Sequence, residues 1–262
     1  MARGTPTSQH GKGWVPDLPD KRDRVFAQLQ PAVPAAVPKI PPSVDLTSRC
    51  PPIEDQGQLS SCTANALAGD LEFLEMKDKV SFTPASRLFI YYNERSIEHT
   101  VPIDKGASIR DGIKTLAKQG VCPETEWPYD ISKFAVAPGA ACYSDAMKRK
   151  ITSYYRLQTT DEMRVCLSQG YPFVFGFTVY QSFESAAVAK SGVVPLPGPG
   201  EAVVGGHAVV AVGYDDPSQR FRVRNSWGTS WGQKGYFTMP YQYLADRNLS
   251  DDFWVVLRGT EM

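Results

Sequence analysis

The chain has 262 residues, of which 42% are hydrophobic and 21% are charged, and this composition is that of a globular protein with a sizeable core. Lysine plus arginine and aspartate plus glutamate both number 28, so the formal net charge is zero. A neutral chain has no general attraction for a phosphate backbone or an anionic membrane, and no stretch approaches the roughly 18 apolar residues of a membrane helix. We therefore expect neither a nucleic-acid partner nor a membrane partner.

The N-terminal part, residues 1–41, differs in composition from the rest of the chain. It contains a proline-rich run that favours an extended path and forbids a helix. An extended run of this length can cross the face of a small domain. Composition alone favours a solvated tail, but Trp14 and Phe26 are anchors that such a tail does not need. Both a free tail and an arm docked on the domain therefore stay open at this point.

Helical signals dominate the part of the chain that follows. Apolar residues after Cys62 keep a three-four spacing, which predicts a helix that begins near this cysteine; they are Ala64, Leu67, Leu71 and Leu74. A second helix is predicted to start at Ser108, with Asp111 as a capping-box-like partner and Gly120 after its end.

From about residue 170 the pattern changes to that of strands. Five segments rich in β-branched and aromatic residues are separated by Gly, Pro and Asp: PFVFGFTVY, HAVVAVGY, RFRVRNSW, KGYFTM and FWVVL. Helices first and strands second predict an α+β fold of two lobes with a cleft between them. We place the helical lobe at about 42–150 and the β lobe at about 151–262.

The cysteines and histidines argue against a metal site. The five cysteines are an odd number and include no C-x-x-C pair, and there are only three histidines. Cys166 shares a predicted helical face with Met163 and Leu167, which indicates a buried apolar thiol. We therefore expect no metal, and at least one thiol that is unpaired or pairs with another chain.

Cys62 is the candidate for a reactive thiol because it lies at a predicted helix N-terminus. A cysteine nucleophile must be ionised, and a helix N-terminus together with a nearby imidazolium lowers a thiol pKa by several units. His10 lies in the N-terminal part, and His99 lies in a polar loop where a solvated role is the better interpretation. His207 follows two glycines and opens a predicted strand, so it is the candidate partner, although a lone histidine there is more often structural.

Two amides complete the candidate site. Asn225, after the strand RFRVR, could orient an imidazole by accepting its ring N–H, with Trp227 excluding water from that bond. Gln56 could donate to a developing oxyanion together with the backbone N–H of Cys62. Taken alone, Asn-Ser-Trp-Gly could be only a turn, and Asp-Gln-Gly is a weak turn signal.

Together these segments resemble those of the papain-like cysteine peptidases. From about Pro42 to the C-terminus, the chain carries the family's Gln-Gly-(four residues)-Cys segment as QGQLSSC, its histidine strand as GHAVVAVGY and its asparagine motif as NSWGTSWGQKGYF. The segment GVCPETEWPY resembles the stretch after the family's third helix. The N-terminal GWVPDLPDKRD and the residues around the cysteine look like a bacterial, xylellain-like branch.

The resemblance implies a papain-like two-lobe fold, with a helical N-terminal lobe, a β-barrel-like C-terminal lobe and the active-site cleft between them. It implies peptide hydrolysis through an acyl-thioester on Cys62, with His207 as general base and then acid and Asn225 as its orienter. Gln56 and the Cys62 N–H would form the oxyanion hole, and no metal or organic cofactor is implied. We see no histidine-bearing insertion of the exopeptidase members, so an endopeptidase acting on peptide or protein substrates is expected.

The sequence departs from the family pattern beside the nucleophile. Leu59 stands where the family has a cysteine, whose disulfide partner position falls near Asp104, and Thr63 replaces an aromatic residue. The family's disulfide near the active site is therefore absent, which suits a reducing compartment or a bacterial enzyme that does without bridges. Since no secretory signal is visible, we expect the bacterial cytoplasm or non-classical export, unless a leader has been removed.

The resemblance implies the substrate-binding positions more loosely. Gly106 and Ala107 look like the family's strip that pairs with an extended peptide. Further substrate-binding positions carry small or apolar residues or the indole beside the asparagine: Ile109, Gly176, Gly205, Ala208 and Trp227. The small walls predict a pocket for a bulky apolar residue at the second position before the cut, although such glycines can also merely allow close packing.

Residues 1–41 are shorter than the family's helical pro-domain, and we expect them to be a pro-segment that lies along the cleft and restrains activity. Residues 42–262 would form the peptidase domain; its oligomeric state stays open, and a monomer is favoured. Two other functions stay open: a catalytically silent papain-fold binding protein, and an acyl transferase of the transglutaminase type. The complete set of candidate catalytic residues argues against the first, and the amide orienter Asn225 argues against the second.

Overall fold

The computed structural model describes residues 10–29 and 40–258, and most helices precede most strands along the chain. The helices are α1 (Cys62–Lys77), α2 (Arg87–Ile97), α3 (Ile109–Lys118), α4 (Ala140–Ala146), α5 (Thr160–Ser168), α6 (Ala186–Ser191) and α7 (Tyr241–Ala245). The strands are β1 (Ser43–Asp45), β2 (Ser153–Arg156), β3 (Phe173–Tyr180), β4 (Val203–Asp215), β5 (Arg220–Arg224), β6 (Tyr236–Pro240) and β7 (Ser250–Leu257).

The strands pair into one antiparallel sheet. Within the described residues it has seven strands in the order β2-β7-β3-β4-β5-β6, and β1 pairs with β4. The register of β3 against β4 places Phe177 opposite His207. Strand β1 precedes the first helix and still joins the sheet by pairing with β4. The chain therefore runs from the sheet to helices α1–α4 and then returns to the sheet with β2.

Helix α1 is the core helix of the fold. It packs against β4, α2 and α3, and nearly all of its side chains are buried, as is typical of a helix inside a protein core. Two of its acidic side chains have partners there. Glu72 accepts a hydrogen bond from the Ala85 N–H (2.7 Å), and Glu75 binds Arg149 (2.7 Å).

Asp70, in the middle of α1, has no such partner. Both of its carboxylate oxygens are buried without a hydrogen bond from any described residue, and burial raises the pKa of Asp70 well above its usual value. The folded protein therefore favours the neutral carboxyl at this position, since an unpaired charge in the core is costly.

The structure confirms the predicted α+β fold and its main elements. Helix α1 begins at Cys62, and α3 begins after Ser108, whose side chain accepts a hydrogen bond from the Asp111 N–H (3.3 Å). Each of the five predicted strand segments contains a strand. The prediction that His207 opens a strand was wrong. Strand β4 begins at Val203, and the two glycines before His207 are already paired with β3.

Helix α2 was not predicted from the sequence. Its residues mix charged and amide side chains with aromatic ones, so no clear apolar stripe marks it. Ser86 caps its N-terminus by accepting a hydrogen bond from the Phe89 N–H (3.1 Å). Its Glu94 and Arg95 are buried all the same, and the first of these lies beside the candidate site.

Two further expectations can be compared with the structure. Cys166 is fully buried in α5, as predicted. Over residues 10–29 and 40–258, no helix combines the length and the apolar character that crossing a membrane requires.

The described part of the N-terminal segment, residues 10–29, lies against the folded domain. Both predicted anchors, Trp14 and Phe26, are buried. The segment is also held by charge, since Asp17 forms an ion pair with Arg156 (3.0 Å). Most of the proline-rich run lies outside the described residues.

Replacing Asp70 with Asn removes a group whose pKa is raised by folding. Above its ordinary value of 3.8 the unfolded chain loses the proton that the folded chain keeps, so wild-type stability falls by about 1.4 kcal/mol per pH unit until the folded pKa is reached. We expect Asp70→Asn to lack this slope and to gain stability over wild type as the pH rises from about 5 to about 7. Urea unfolding at several pH values measures the difference.

The matched control for this experiment is Asp78→Asn, which changes an exposed carboxylate just after the same helix. Its stability difference from wild type should stay nearly constant over the same pH range. A constant difference for Asp70→Asn as well would show that Asp70 is charged in the folded protein.

Candidate active site

Cys62 is the first residue of α1, and its thiol is fully buried. Burial raises the pKa of the thiol to about 11, while backbone hydrogen bonds at Ala208, Gly13 and Thr63 act in the opposite direction. The helix N-terminus had predicted a thiolate at Cys62. The physical cause of the difference is burial, which disfavours the charged thiolate, and Gly13 of the N-terminal segment is one of the backbone groups in contact with the buried sulfur.

His207 is fully buried in β4, and Asn225 holds its imidazole. Its Nε2 lies 2.8 Å from Asn225 Oδ1, and since an amide oxygen can only accept, Nε2 carries the proton. Nδ1 has no hydrogen-bond partner among the residues that the structure describes, so its lone pair is available. Burial lowers the pKa of His207 to about 3, against the effect of the Asn225 bond. The ring is therefore neutral in this state.

Asn225 follows β5 and is held by its neighbours. Its backbone N–H donates to the Gly235 carbonyl (2.9 Å), and its Oδ1 also accepts from the Ser226 N–H (2.9 Å). The Trp227 ring lies over the His207 ring with 4.9 Å between centroids. The indole is therefore in the place where it excludes water from the His207–Asn225 bond.

Gln56 precedes α1, and Ser226 fixes its side-chain amide. Ser226 Oγ donates to Gln56 Oε1 (2.6 Å), and the Gln56 N–H donates to the Ser226 carbonyl (2.9 Å). The amide Nε2 is thereby turned to the opposite side, where it donates to the carbonyls of Leu59 (2.9 Å) and Gly11 (3.1 Å). A carbonyl of the N-terminal segment thus already engages the donor that was expected for an oxyanion.

Thr63, which replaces the family's aromatic residue, is bonded to a buried acid. Its Oγ1 donates to Glu94 Oε1 (2.6 Å), and Glu94 is fully buried in α2. Burial raises the pKa of Glu94 well above its usual value, and Glu94 in turn raises the pKa of Cys62. A polar pair, Thr63 and Glu94, therefore lies next to Cys62 in place of the family's aromatic residue.

A hydrogen bond takes the place of the absent disulfide. Asp104 accepts from the Ser60 N–H (3.1 Å) and from the Tyr91 hydroxyl, so it ties the residues just before Cys62 to the chain at residue 104. All five cysteines lie in the described residues and are free thiols. The two segments that a bridge would join are therefore joined by noncovalent bonds.

The N-terminal segment crosses the site as an extended strand. The Ala107 N–H donates to the Gly13 carbonyl (2.8 Å), and the Val15 N–H donates to the Ala107 carbonyl (3.0 Å), so Trp14 pairs with Ala107 in parallel orientation. Gly106 makes this approach possible, because a Cβ there would lie 1.8 Å from the Gly13 carbonyl oxygen. The strip expected to pair with an extended peptide is thus paired with the protein's own segment.

Trp14 fills a pocket beside this strip. Its indole lies on Gly176, where a Cβ would come within 2.0 Å of the ring. Its Nε1 donates to Asp252 Oδ2 (3.0 Å), and Asp252 is buried at the floor of the pocket. Other predicted pocket residues are spread around this position: Gly205 borders the Lys12 side chain, Ala208 contacts Cys62 through its backbone, and Ile109 is buried at the start of α3.

Several residues of the site were missed by the sequence analysis. Ser226 lies inside the Asn-Ser-Trp-Gly motif, which was a signal, but only its neighbours were given roles. Asp252 and Glu94 come from distant segments that no local pattern connects to the site. His10 was set aside as part of the N-terminal arm, yet its ring stacks on Trp227 with 4.8 Å between centroids.

The chain is similar to known cysteine proteases over most of its length. The family described as "Papain family cysteine protease" matches residues 40–248. The crystal structure of xylellain, a cysteine protease from Xylella fastidiosa, is 44% identical, has a TM-score of 0.88, and matches 99% of this chain and 100% of its own. An uncharacterized peptidase C1-like protein of Acanthamoeba polyphaga mimivirus is 41% identical over 98% of this chain and 90% of its own length.

A more distant likeness extends to a proform. Digestive procathepsin L 3 of Tenebrio molitor larval midgut is 19% identical, has a TM-score of 0.68, and matches 95% of this chain and 76% of its own; at that identity it shows the fold alone. The family match and the likeness to xylellain agree with the two-lobe α+β fold and with the xylellain-like branch that the sequence indicated. The chain belongs to the papain family of cysteine proteases.

Proposed function

We propose that this cysteine peptidase cuts within peptide chains, with Cys62 as nucleophile and His207 as general base and then acid. Asn225 orients the imidazole, and Gln56 Nε2 with the Cys62 N–H binds the oxyanion. The observation that carries the proposal is the 2.8 Å contact of His207 Nε2 with Asn225 Oδ1, because it leaves Nδ1 as a base beside the nucleophile's helix.

The reaction follows from these positions. Nδ1 of His207 takes the Cys62 proton as the sulfur attacks the scissile carbonyl carbon, and the oxygen becomes an oxyanion that accepts from Gln56. The imidazolium then gives its proton to the departing amine, which leaves an acyl-thioester on the sulfur. Water loses a proton to the same nitrogen and attacks the thioester, and the acid product departs as the thiol is restored.

Residues 1–41 are proposed to be a pro-segment that blocks residues 42–262, the peptidase domain. Gly13 covers Cys62, Gly11 engages Gln56, and Trp14 fills the pocket. The proform among the similar structures is compatible with such a segment.

The direction of this segment explains why it would block the site without being cut. In a substrate whose second residue before the cut fills the pocket, the chain runs from the pocket toward Gln56. The segment runs the other way, since Gly11 lies at Gln56 and the later residue Trp14 lies in the pocket. Among residues 10–29, no carbonyl therefore meets both the nucleophile and the oxyanion donors in the order that cleavage needs.

The pocket is proposed to take a bulky apolar side chain from the substrate. Gly176 provides a flat wall on which the Trp14 indole lies, and Asp252 accepts the indole N–H at the floor. The charge of Asp252 is balanced by Arg156 (3.0 Å), so the pocket offers no free carboxylate to attract a basic side chain. The backbone of Ala107 would pair with the extended peptide once the segment has left.

Replacing Cys62 with Ala removes the nucleophile, and we expect hydrolysis of an unfolded protein substrate to fall by at least about 10³-fold. Cys50→Ser, which changes a half-buried thiol outside the site, should keep the wild-type rate. Product masses separate hydrolysis from acyl transfer to an amine. Activity retained by Cys62→Ala would refute the assignment, and a wild-type protein inactive even without its segment would favour a silent binding protein.

Gly13→Ala should release the segment, because its Cβ would lie 1.9 Å from the Ser60 carbonyl oxygen. We expect the full-length variant to cleave a small peptide severalfold faster than wild type. We also expect iodoacetamide to alkylate its Cys62 at lower pH, since water lowers the thiol pKa from about 11.

Gly139→Ala is the matched control for this release, because a Cβ at that glycine has nothing within 4 Å. Its peptide rate and its alkylation profile should match those of wild type. Equal rates and equal alkylation profiles for Gly13→Ala and Gly139→Ala would argue that the segment does not restrain the enzyme.

Peptides varied at the second position before the cut test the pocket in Gly13→Ala. We expect Leu, Phe and Val to be preferred, and Trp to join them because the indole of Trp14 fits between Gly176 and Asp252. The measurement is kcat/KM across the series. A preference for Arg or Asp at this position would contradict the proposed pocket.

A further inference from the structure

A second cluster of reactive side chains lies outside the active site. Cys122 follows α3, and Cys142 lies in α4. The sulfur atoms of these two cysteines and a carboxylate oxygen of Glu126 all lie within 4.8 Å of one another. Both thiols are buried while Glu126 is exposed, so the cluster opens to solvent on the side of the carboxylate.

The backbone holds this cluster in place. The Ser86 N–H donates to the Cys122 carbonyl (2.9 Å), and the next residue, Pro123, pairs with Ala85 as a bridge. The Cys142 thiol donates to the Glu126 carbonyl at 3.8 Å, which fixes the sulfur against the turn that carries the carboxylate. The three side chains therefore converge because of the fold, although twenty positions separate the two cysteines.

The solvent side of the cluster carries a further carboxylate. Lys148 forms an ion pair with Asp145, in the same helix as Cys142. The two sulfur atoms and the Glu126 carboxylate thus provide three ligand atoms at one place, one of them on an exposed side chain.

We propose that Cys122, Cys142 and Glu126 bind a divalent cation of the zinc class, with water or Asp145 as the fourth ligand. Two thiolates and a carboxylate are a ligand set for zinc, with Zn–S near 2.3 Å and Zn–O near 2.1 Å. Such bonds place tetrahedral ligands about 3.5 to 3.8 Å apart, within the observed limit of 4.8 Å. Thiolates also favour zinc over magnesium or calcium. Binding releases the two thiol protons to solvent.

This site departs from the expectation of no metal, which rested on the absence of a C-x-x-C pair. The rival product of two adjacent thiols is a disulfide, formed with loss of two electrons to a peroxide or an oxidised thiol. Glu126 distinguishes the disulfide from the metal site. A disulfide would involve only the two sulfur atoms, whereas a metal ion would also bind the Glu126 carboxylate. A bound ion would fasten α4 to the segment after α3, about 20 residues earlier in the chain.

Zinc and cadmium binding to full-length Cys62→Ala tests the site, because that background removes the active-site thiol as a competing ligand. Native mass spectrometry under reducing conditions should show one ion per chain. Cobalt substitution should give a sulfur-to-cobalt charge-transfer band. Adding Cys122→Ser or Cys142→Ser should abolish both signals, and adding Glu126→Gln should weaken affinity about tenfold or more.

The matched control is Cys166→Ser in the same background, which removes a buried thiol outside the cluster. It should bind one ion as tightly as its parent. If Cys122→Ser does not fold, Glu126→Gln decides the question, because its side chain is exposed. No uptake, uptake unchanged by these substitutions, or a Cys122–Cys142 disulfide that excludes the ion would each overturn the proposal, and none of these readouts depends on peptidase activity.

Discussion

The hydrogen bond between His207 and Asn225 is the contact on which the proposed chemistry of the site depends. It sets which nitrogen of the ring carries the proton, and so which nitrogen can act as a base. The bond exists because β4 and β5 are paired strands, with Val210 opposite Arg224, the residue before Asn225. Arg224 also donates to the Pro51 carbonyl (2.8 Å), which ties the sheet to the chain that leads to Gln56. One strand pairing thus places residues from both halves of the sequence.

Access of water also affects the ionisation of Cys62 and His207. A thiolate beside an imidazolium needs solvent or fixed dipoles to carry its charge, and the N-terminal segment takes the solvent away. With the segment in place, burial raises the pKa of Cys62 and lowers that of His207, so both groups are neutral. In the role proposed for it, the segment would act on the ionisation of the pair as well as on access to it. The Trp227 ring lies over the His207 ring on the same side of the site.

Much of the fold and of the site could be predicted from the sequence, for reasons that differ between residues. Cys62, His207 and Asn225 lie in motifs whose neighbours carry the local requirements of their chemistry, namely a helix start, a strand and a shielding indole. Asp252 could not be found this way, because its link to Trp14 joins positions 238 residues apart. The proximity of Cys122 and Cys142 is likewise a product of tertiary packing. Helix α2 was not predicted, because several of its buried residues are charged and interrupt the apolar pattern that marks a buried helix face.

The contact between Ser60 and Asp104 has a practical consequence. A thiol enzyme needs a reduced sulfur at its centre, yet a strong reductant also breaks any bridge that supports the neighbouring loop. Here the loop before Cys62 is held by a backbone N–H and a carboxylate, and neither is changed by electron transfer. Dithiothreitol at high concentration should keep the Cys62 thiol reduced and leave the Ser60–Asp104 hydrogen bond intact.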